Sequence, residues 1–394
     1  MDRRIGLASR DRNNFDYSLL FIIILLMAIS IINIHSAQKY LPYNKDFAGM
    51  QLFWYAVGLI VTSVIYYFDL EQIKKLSLYI YLFGVFLLVV LFFAPESIAP
   101  STKGIKAWFS IKGVGSVQPS EFMKIFLIMF LAKITVDHND KNIHRTISTD
   151  MKLIGKIVGI TLVPLLFILL QPDAGTAMVI LVIMFGVIFL SGVNWKILTI
   201  FFSTVLSVIG ALVVIYIYYP DTLLLVLDQY QLNRIHSWLD PFEYSGGIGY
   251  QLSQSILAIG SGTNYGKGYM KGEVNIPEAH SDFIFSVVGE EYGFLGASVV
   301  VTLYFLLIYR IIVIAIKSKG EYESLIAAGV VSMLTFHIFE NVGMVIGLVP
   351  ITGIPLPLLS YGGSSILANM LSLTLILNIS AKTKNHMFEG NKYA

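Results

Sequence analysis

Long apolar stretches alternate with short polar connections over almost the whole chain, and ten of them approach the length needed to cross a bilayer. They run at 18–34, 51–68, 76–94, 122–136, 153–170, 175–193, 196–219, 284–316, 324–349 and 361–379. None shows the every-second-residue alternation of a barrel strand. Backbone in hydrocarbon must satisfy its own hydrogen bonds, so each run predicts a helix. The first run follows Arg3, Arg4, Arg10 and Arg12, a basic start that a signal peptide shares. With nine further runs behind it, an uncleaved first helix is expected. The expected fold is all-α, a single polytopic membrane domain over 1–394.

The fourth run is short and carries Lys124 and Lys133, yet the charge distribution requires it. With ten spans and a cytoplasmic N-terminus, 18 of the 27 Lys and Arg residues fall inside and nine outside. Without that span the N-terminal arginines face away from every later cytoplasmic cluster, against the positive-inside rule. Residues 1–17 and 380–394 are then cytoplasmic, and the two long loops 95–120 and 220–283 face outward. Loops longer than about 15 residues are uncommon without structure or function of their own. Within the larger loop, Tyr250–Ile259 (YQLSQSILAI) predicts an interfacial helix. Gly347–Ser365 holds three prolines and four glycines between two spans. Such backbone at membrane depth needs protein or a wet cavity around it. No repeat is present.

Composition narrows the class further. Of 394 residues, 56% are hydrophobic and 13% charged, and the mean hydropathy is +0.73. Soluble domains carry roughly 25% charged residues, so a soluble multidomain enzyme is excluded, and so is a disordered chain. A net charge of +2 supplies no field for nucleic acid, and the lack of cysteine excludes disulfides, iron–sulfur clusters and thiolate zinc sites. There is no HExxH. Gly260–Gly268 (GSGTNYGKG) has the wrong spacing for a nucleotide P-loop and lacks the hydroxyl after Lys267. No nucleotide, haem or organic cofactor is expected.

The remaining chemistry is a set of polar groups near helix ends, where ionisable residues are costly and are functional candidates. In Gln118–Lys124 (QPSEFMK), Pro119 suits a first helical turn, and Glu121 and Lys124 share one face as an ion pair or as site groups. In Gln171–Thr176 (QPDAGT), Asp173 reads as a helix cap or a ligand. Asp282, where the large loop re-enters the membrane, reads as an N-cap or as a partly desolvated general base. His337, Glu340 and Asn341 share a face of the ninth run, for polar helix packing or for chemistry. Trp108 reads as an interfacial anchor.

Taken together, TGIPLPLLSYGGSS at 352–365, QPSEFMK at 118–124, QPDAGT at 171–176 and HSDFIFSVVGEE at 280–291 resemble the SEDS family (shape, elongation, division and sporulation), which includes RodA and FtsW. The likeness covers nearly the whole chain, with FDLEQIKKLSLYI at 68–80 and PESIAP at 95–100 closer to RodA. It implies a peptidoglycan glycosyltransferase of the bacterial cell membrane that polymerises lipid II, releasing undecaprenyl diphosphate. It also implies a class B penicillin-binding protein as transpeptidase partner, alongside other elongation or division machinery. By motif match, Asp282 stands at the family's essential aspartate, Glu121 and Lys124 at its acidic and basic pair, and Trp108 at its outer-loop tryptophan. Ser281 replaces a common Thr, and Ala107 a common Arg, which leaves Lys106 as the nearest cation.

In that role Asp282 is the expected base for the acceptor hydroxyl. Lys124, Arg234, Lys267 and a divalent cation (Mg²⁺ or Mn²⁺) are the expected counter-charges for the diphosphate, with Glu121 and Asp282 as candidate metal ligands. Asp173, Ser281 and Glu340 are supporting candidates, and apolar grooves between helices would hold polyprenyl tails. The implied reaction is a direct displacement with inversion. The alternative is a lipid II flippase, which predicts paired inner and outer gates. A scaffold for the transpeptidase is a third reading. The small residues Gly289, Gly293, Gly296, Ala297, Ala327, Ala328 and Gly329 are expected to dock the partner's helix or else to pack the chain's own.

Overall fold

The computed structural model describes residues 16–41, 45–101, 106–111, 115–219 and 229–389. The N-terminal arginines, Lys103 and residues 390–394 of the C-terminal tail lie outside them. Each of the ten apolar runs coincides with a helix: α1 (Tyr17–Ala37), α2 (Phe47–Tyr66), α3 (Leu70–Phe93), α4 (Pro119–Lys141), α5 (Ile147–Leu170), α6 (Ala174–Leu190), α7 (Trp195–Tyr218), and, after two helices of the outer loop, α10 (Ile284–Lys317), α11 (Glu321–Val345) and α12 (Gly363–Glu389). The loop helices are α8 (Gln229–Leu239) and α9 (Tyr250–Ser261). Strands β1 (Phe109–Ile111) and β2 (Gly115–Val117) form an antiparallel hairpin that leads directly into α4.

Eight of these helices are long and apolar enough to cross a membrane. Of the other two candidate spans, α6 is apolar but has 17 residues, at the short end of the spanning range. The other, α4, has the length, and charged side chains break its apolar run. The chain is an all-α, multi-pass membrane protein. Its centre is α12 and α11, which are largely enclosed and pack against α2, α4, α6 and α10. At the edge, α7 buries only Leu198.

Polar ties fix the helix ends. Asp16 caps α1 by accepting from the Leu19 N–H at 3.1 Å, and Arg310 of α10 grips both of its carboxylate oxygens at 3.1 Å. Lys106 donates to the Phe92 and Ala94 carbonyls at the end of α3. That placement gives Lys106 a structural role, closing a helix C-terminus.

The eighth span departs from the expected single helix. At 34 residues α10 would be about 51 Å long, far beyond the ~30 Å hydrocarbon core. It breaks at Gly293 (φ 64°, ψ −161°), a conformation open to glycine. Residues 284–292 form a half-helix within protein, and lipid-facing side chains begin at Phe294. The loop 263–268 enters the break, where Phe294 and Leu295 N–H groups donate to Thr263 and Asn264 oxygens and the Lys267 and Gly268 N–H groups donate to Glu290 and Glu291 oxygens, at 2.9–3.2 Å. A Cβ on Gly293 would overlap the Gly266 backbone.

Two further expectations change. The helix at 250–261, expected at the interface, lies against protein, with Leu252, Ser253, Ser255 and Ala258 buried and Ser255 donating to the Val345 oxygen at 2.7 Å. The small residues offered for partner docking serve mainly the chain's own packing. Gly289 abuts Ile259, Gly329 abuts Ile128, Gly293 abuts the 264–266 loop, and Ala327 and Ala328 are buried.

Candidate functional site

The site forms where the starts of α4, α6 and α10 meet the irregular 346–362 segment. Pro119 opens α4 at its first helical position, which suits proline because that N–H needs no partner. Three residues apart, Glu121 and Lys124 form the ion pair that their spacing predicts, Nζ to Oε1 at 2.9 Å, with exposures of 4% and 2%. Lys124 also donates to His337 Nε2 at 3.2 Å, and His337 Nδ1 lies 3.3 Å from the Pro355 oxygen. One turn further along the same face of α11, Asn341 Nδ2 donates to the Asp282 oxygen at 2.8 Å and the Ile354 oxygen at 2.7 Å.

Asp282 is half-buried in the turn before α10. The cap position of α10 is Phe283, which makes no side-chain capping bond, so Asp282 is not the N-cap. Gly353 (φ 77°) passes close beside it: a Cβ there would lie 3.4 Å from Asp282 Oδ2. The same turn is laced to the segment before α12. Ser360 Oγ donates to the Ser281 oxygen at 2.7 Å, and the Tyr361 N–H donates to the His280 oxygen at 2.9 Å. Ser281 turns its hydroxyl back to the Glu278 oxygen at 3.3 Å. His280 is buried beside Phe47 and Tyr361, and burial lowers its pKa from the ordinary 6.5, so the ring is neutral at pH 7.

Asp173 is a cap and also a strut. Its Oδ1 accepts from the Thr176 N–H at 3.0 Å, and its Oδ2 accepts from Thr176 Oγ1 at 2.8 Å and Gln118 Nε2 at 2.9 Å. The start of α6 is thereby joined to the start of α4, and the Gln118 N–H joins α4 to Ser364 of α12 at 2.9 Å. Arg234 of α8 donates to the Ile351 oxygen at 2.8 Å, and Trp238 donates to the Gly347 oxygen at 2.9 Å, which seats α8 over the irregular segment. Glu340 is 4% exposed, with both carboxylate oxygens lacking a hydrogen bond; the Thr352 hydroxyl is beside it without bonding geometry, and Arg234 is its nearby counter-charge.

Two expected residues stand apart. Lys267 pairs with Glu290 at 2.8 Å and Glu273 at 3.1 Å, and the bond to Glu290 raises its pKa. Glu290 also accepts from the Glu273 and Val274 N–H groups, so this cluster clamps the outer loop to the half-helix. Trp108 precedes β1 half-buried, with no hydrogen bond among the described residues to the Asp282 cluster. Sequence reasoning missed the bridging roles of Asn341, Ser360 and Ser364. The i, i+4 spacing of His337 and Asn341 was the available signal, but their partners come from a segment without periodicity.

Among the described residues, no three His, Asp or Glu side chains cluster to hold a metal. Glu121 Oε2 is buried without a partner. On the membrane side, a groove of about 610 Å³ opens between α6, α7 and α11, walled by Phe189, Phe202, Phe336 and Phe339 over Gly186 and Ala328.

Fold and site together define a polytopic membrane protein with a carboxylate-bearing polar cluster at one end of its helices. The profile of the FtsW/RodA/SpoVE cell cycle protein family matches residues 15–385, and the chain belongs to that family. It is 33% identical to stage V sporulation protein E of Bacillus subtilis, covering 93% of this chain and 96% of that protein. It is 30% identical to the peptidoglycan glycosyltransferase MrdB of Escherichia coli K12, covering 95% of each. Such similar identities to differently named relatives do not separate a RodA-like from an FtsW-like member. Among solved structures, a chain from work on the structural coordination of polymerization and crosslinking by a peptidoglycan synthase complex matches with a TM-score of 0.77 at 28% identity, over 94% of this chain and 98% of that one. The rod shape determining protein RodA of Thermus thermophilus matches at 0.65 with 26% identity, over 93% and 96%.

Proposed function

We propose that this chain is a peptidoglycan glycosyltransferase that polymerises lipid II on the outer face of the bacterial cell membrane, for elongation and shape of the cell wall or for division. The observation that carries the reading is Asp282, half-buried at a helix entrance, fixed through its main chain by Asn341 and approached by Gly353. Asp282 takes the proton of the acceptor sugar hydroxyl as that oxygen bonds to the donor's anomeric carbon. The bond to the diphosphate oxygen breaks, and undecaprenyl diphosphate leaves with inversion and no covalent enzyme intermediate.

Lys124 keeps one ammonium N–H beyond its bonds to Glu121 and His337, and it serves the departing diphosphate together with Arg234 at the rim. A Mg²⁺ or Mn²⁺ ion would neutralise the same charge, held by one or two carboxylates, Glu121 or Asp282, plus the substrate's own phosphates. The apolar groove suits a polyprenyl tail. The transpeptidase partner is a class B penicillin-binding protein, in keeping with the synthase complex in which the similar chain was solved. The positive-inside distribution supports a cytoplasmic position for both termini.

Incubation of the purified protein and its transpeptidase with labelled lipid II tests this reading. A ladder of glycan strands supports it. Translocation in liposomes without polymer would establish the flippase instead, a reading that the concentration of polar groups on one side does not favour.

A further inference from the structure

His337 lies 1% exposed in the middle of the protein, one helical turn inward of Asn341 on the same face of α11. Its two ring nitrogens meet different chemistry. The Pro355 oxygen can only accept, so Nδ1 carries the proton and Nε2 keeps its lone pair. That lone pair points at the Lys124 ammonium, 3.2 Å away, which can only donate. The same ammonium donates to Glu121 at 2.9 Å. Two of its three N–H groups are therefore fixed in direction, and the third is fixed by the geometry of the nitrogen. Asn341, four residues on, ties the neighbouring Ile354 oxygen and Asp282. One face of α11 thus bonds Asp282 and Lys124 directly and ties both to the 354–355 segment.

Resting on the glycosyltransferase reading above, we propose that His337 is a positioning residue: it sets the direction of the Lys124 ammonium and ties it to the 354–355 segment, acting on the reaction only through Lys124. Without His337 the lysine keeps its carboxylate but is free to rotate about it. A diphosphate oxygen then meets an ammonium that must be oriented in each turnover.

The test compares polymerisation by purified complexes carrying His337→Met, His337→Gln, Lys124→Met and the His337→Met/Lys124→Met pair. His337→Met keeps the volume without either polar atom and should lower kcat at least tenfold, more than its loss of thermal stability explains, with little change in KM. His337→Gln can accept from Lys124 and donate to Pro355, and should recover most of the loss. The double variant should be no slower than Lys124→Met alone, because His337 has nothing left to position. Multiplying losses in the double variant, or full activity of His337→Met, overturns the proposal. Should Lys124→Met fail to fold because Glu121 is left unpaired, Lys124→Met/Glu121→Gln serves as the background. Nitrogen NMR of histidine-labelled protein in nanodiscs supplies a readout independent of turnover. Protonated Nδ1 with unprotonated Nε2, altered by Lys124→Met, supports the contact, and the opposite tautomer refutes it. If the wild-type complex makes no polymer, the glycosyltransferase reading fails on its own, and the ring signals still decide the contact.

Discussion

Asn341 holds Asp282 in place without touching its carboxylate: a single amide nitrogen donates to the main-chain oxygens of Asp282 and Ile354, at 2.8 and 2.7 Å. The turn that carries the proposed base is thereby locked to the segment that carries Gly353. The neighbouring backbone carries this part of the structural load.

Removing that amide should misplace the base. Asn341→Leu leaves two buried carbonyls without their donor, and each lost bond is worth about 1 kcal/mol of stability. A fall in kcat of tenfold or more, equivalent to about 1.4 kcal/mol of transition-state stabilisation, is expected in lipid II polymerisation. Wild-type kcat in a folded Asn341→Leu protein would count against the positioning role.

Gly353→Ala tests the close passage beside Asp282. A side chain at φ 77° costs about 1–2 kcal/mol, and the added methyl would sit 3.4 Å from Asp282 Oδ2. Activity should therefore drop by more than the loss of thermal stability explains. Equal rates for alanine and glycine at this position would show that the close approach to Asp282 does not matter for activity.

Lys267 is expected to behave as a clamp. Lys267→Met removes the charge partner of Glu290 and loosens the loop at the Gly293 break. The thermal midpoint should fall, while polymerisation per folded molecule stays within about threefold, under 1 kcal/mol. A tenfold loss of specific activity with an unchanged midpoint would return Lys267 to the diphosphate site that its sequence position suggests.

The buried ring of His280 makes stability depend on pH. Burial lowers its pKa in the folded state from 6.5, helped by Lys45 and opposed by Glu278, while the unfolded chain titrates at the ordinary value. The stability gained from keeping the ring neutral is fully present above pH ~6.5 and is lost as the pH falls through that value toward the folded pKa. The midpoint of thermal unfolding in detergent should drop between about pH 7.5 and 5.5, and less so in His280→Phe. Identical drops in both proteins would exclude this histidine as a source.

Much of this architecture is legible in the sequence because its strongest signal is length and apolarity. All ten runs fall on helices, and Lys124 inside the fourth is explained by Glu121 one turn away. Asp173 reads as a cap from its place before Ala174, and it is one. What the sequence hides is where a glycine breaks an apolar run, as at Gly293, and which partner a charge meets. Lys267 looks like a free cation from its neighbours and Lys124 like half of a local pair, yet their partners Glu290 and His337 lie 23 and 213 residues away. The 352–365 motif is visible as a string, but its bonds to 280–282 and 337–341 come from an irregular backbone that no periodicity describes.

The central claim is that the Asp282 carboxylate accepts the acceptor hydroxyl's proton, and Asp282→Asn addresses it most directly. The amide keeps the size and the main-chain bond to Asn341, but it cannot take a proton. With labelled lipid II and the transpeptidase partner present, the variant should fold with a wild-type thermal midpoint and polymerise at least ~100-fold more slowly, the lower range for loss of a general base. A glycan ladder formed by Asp282→Asn at near the wild-type rate would contradict the account.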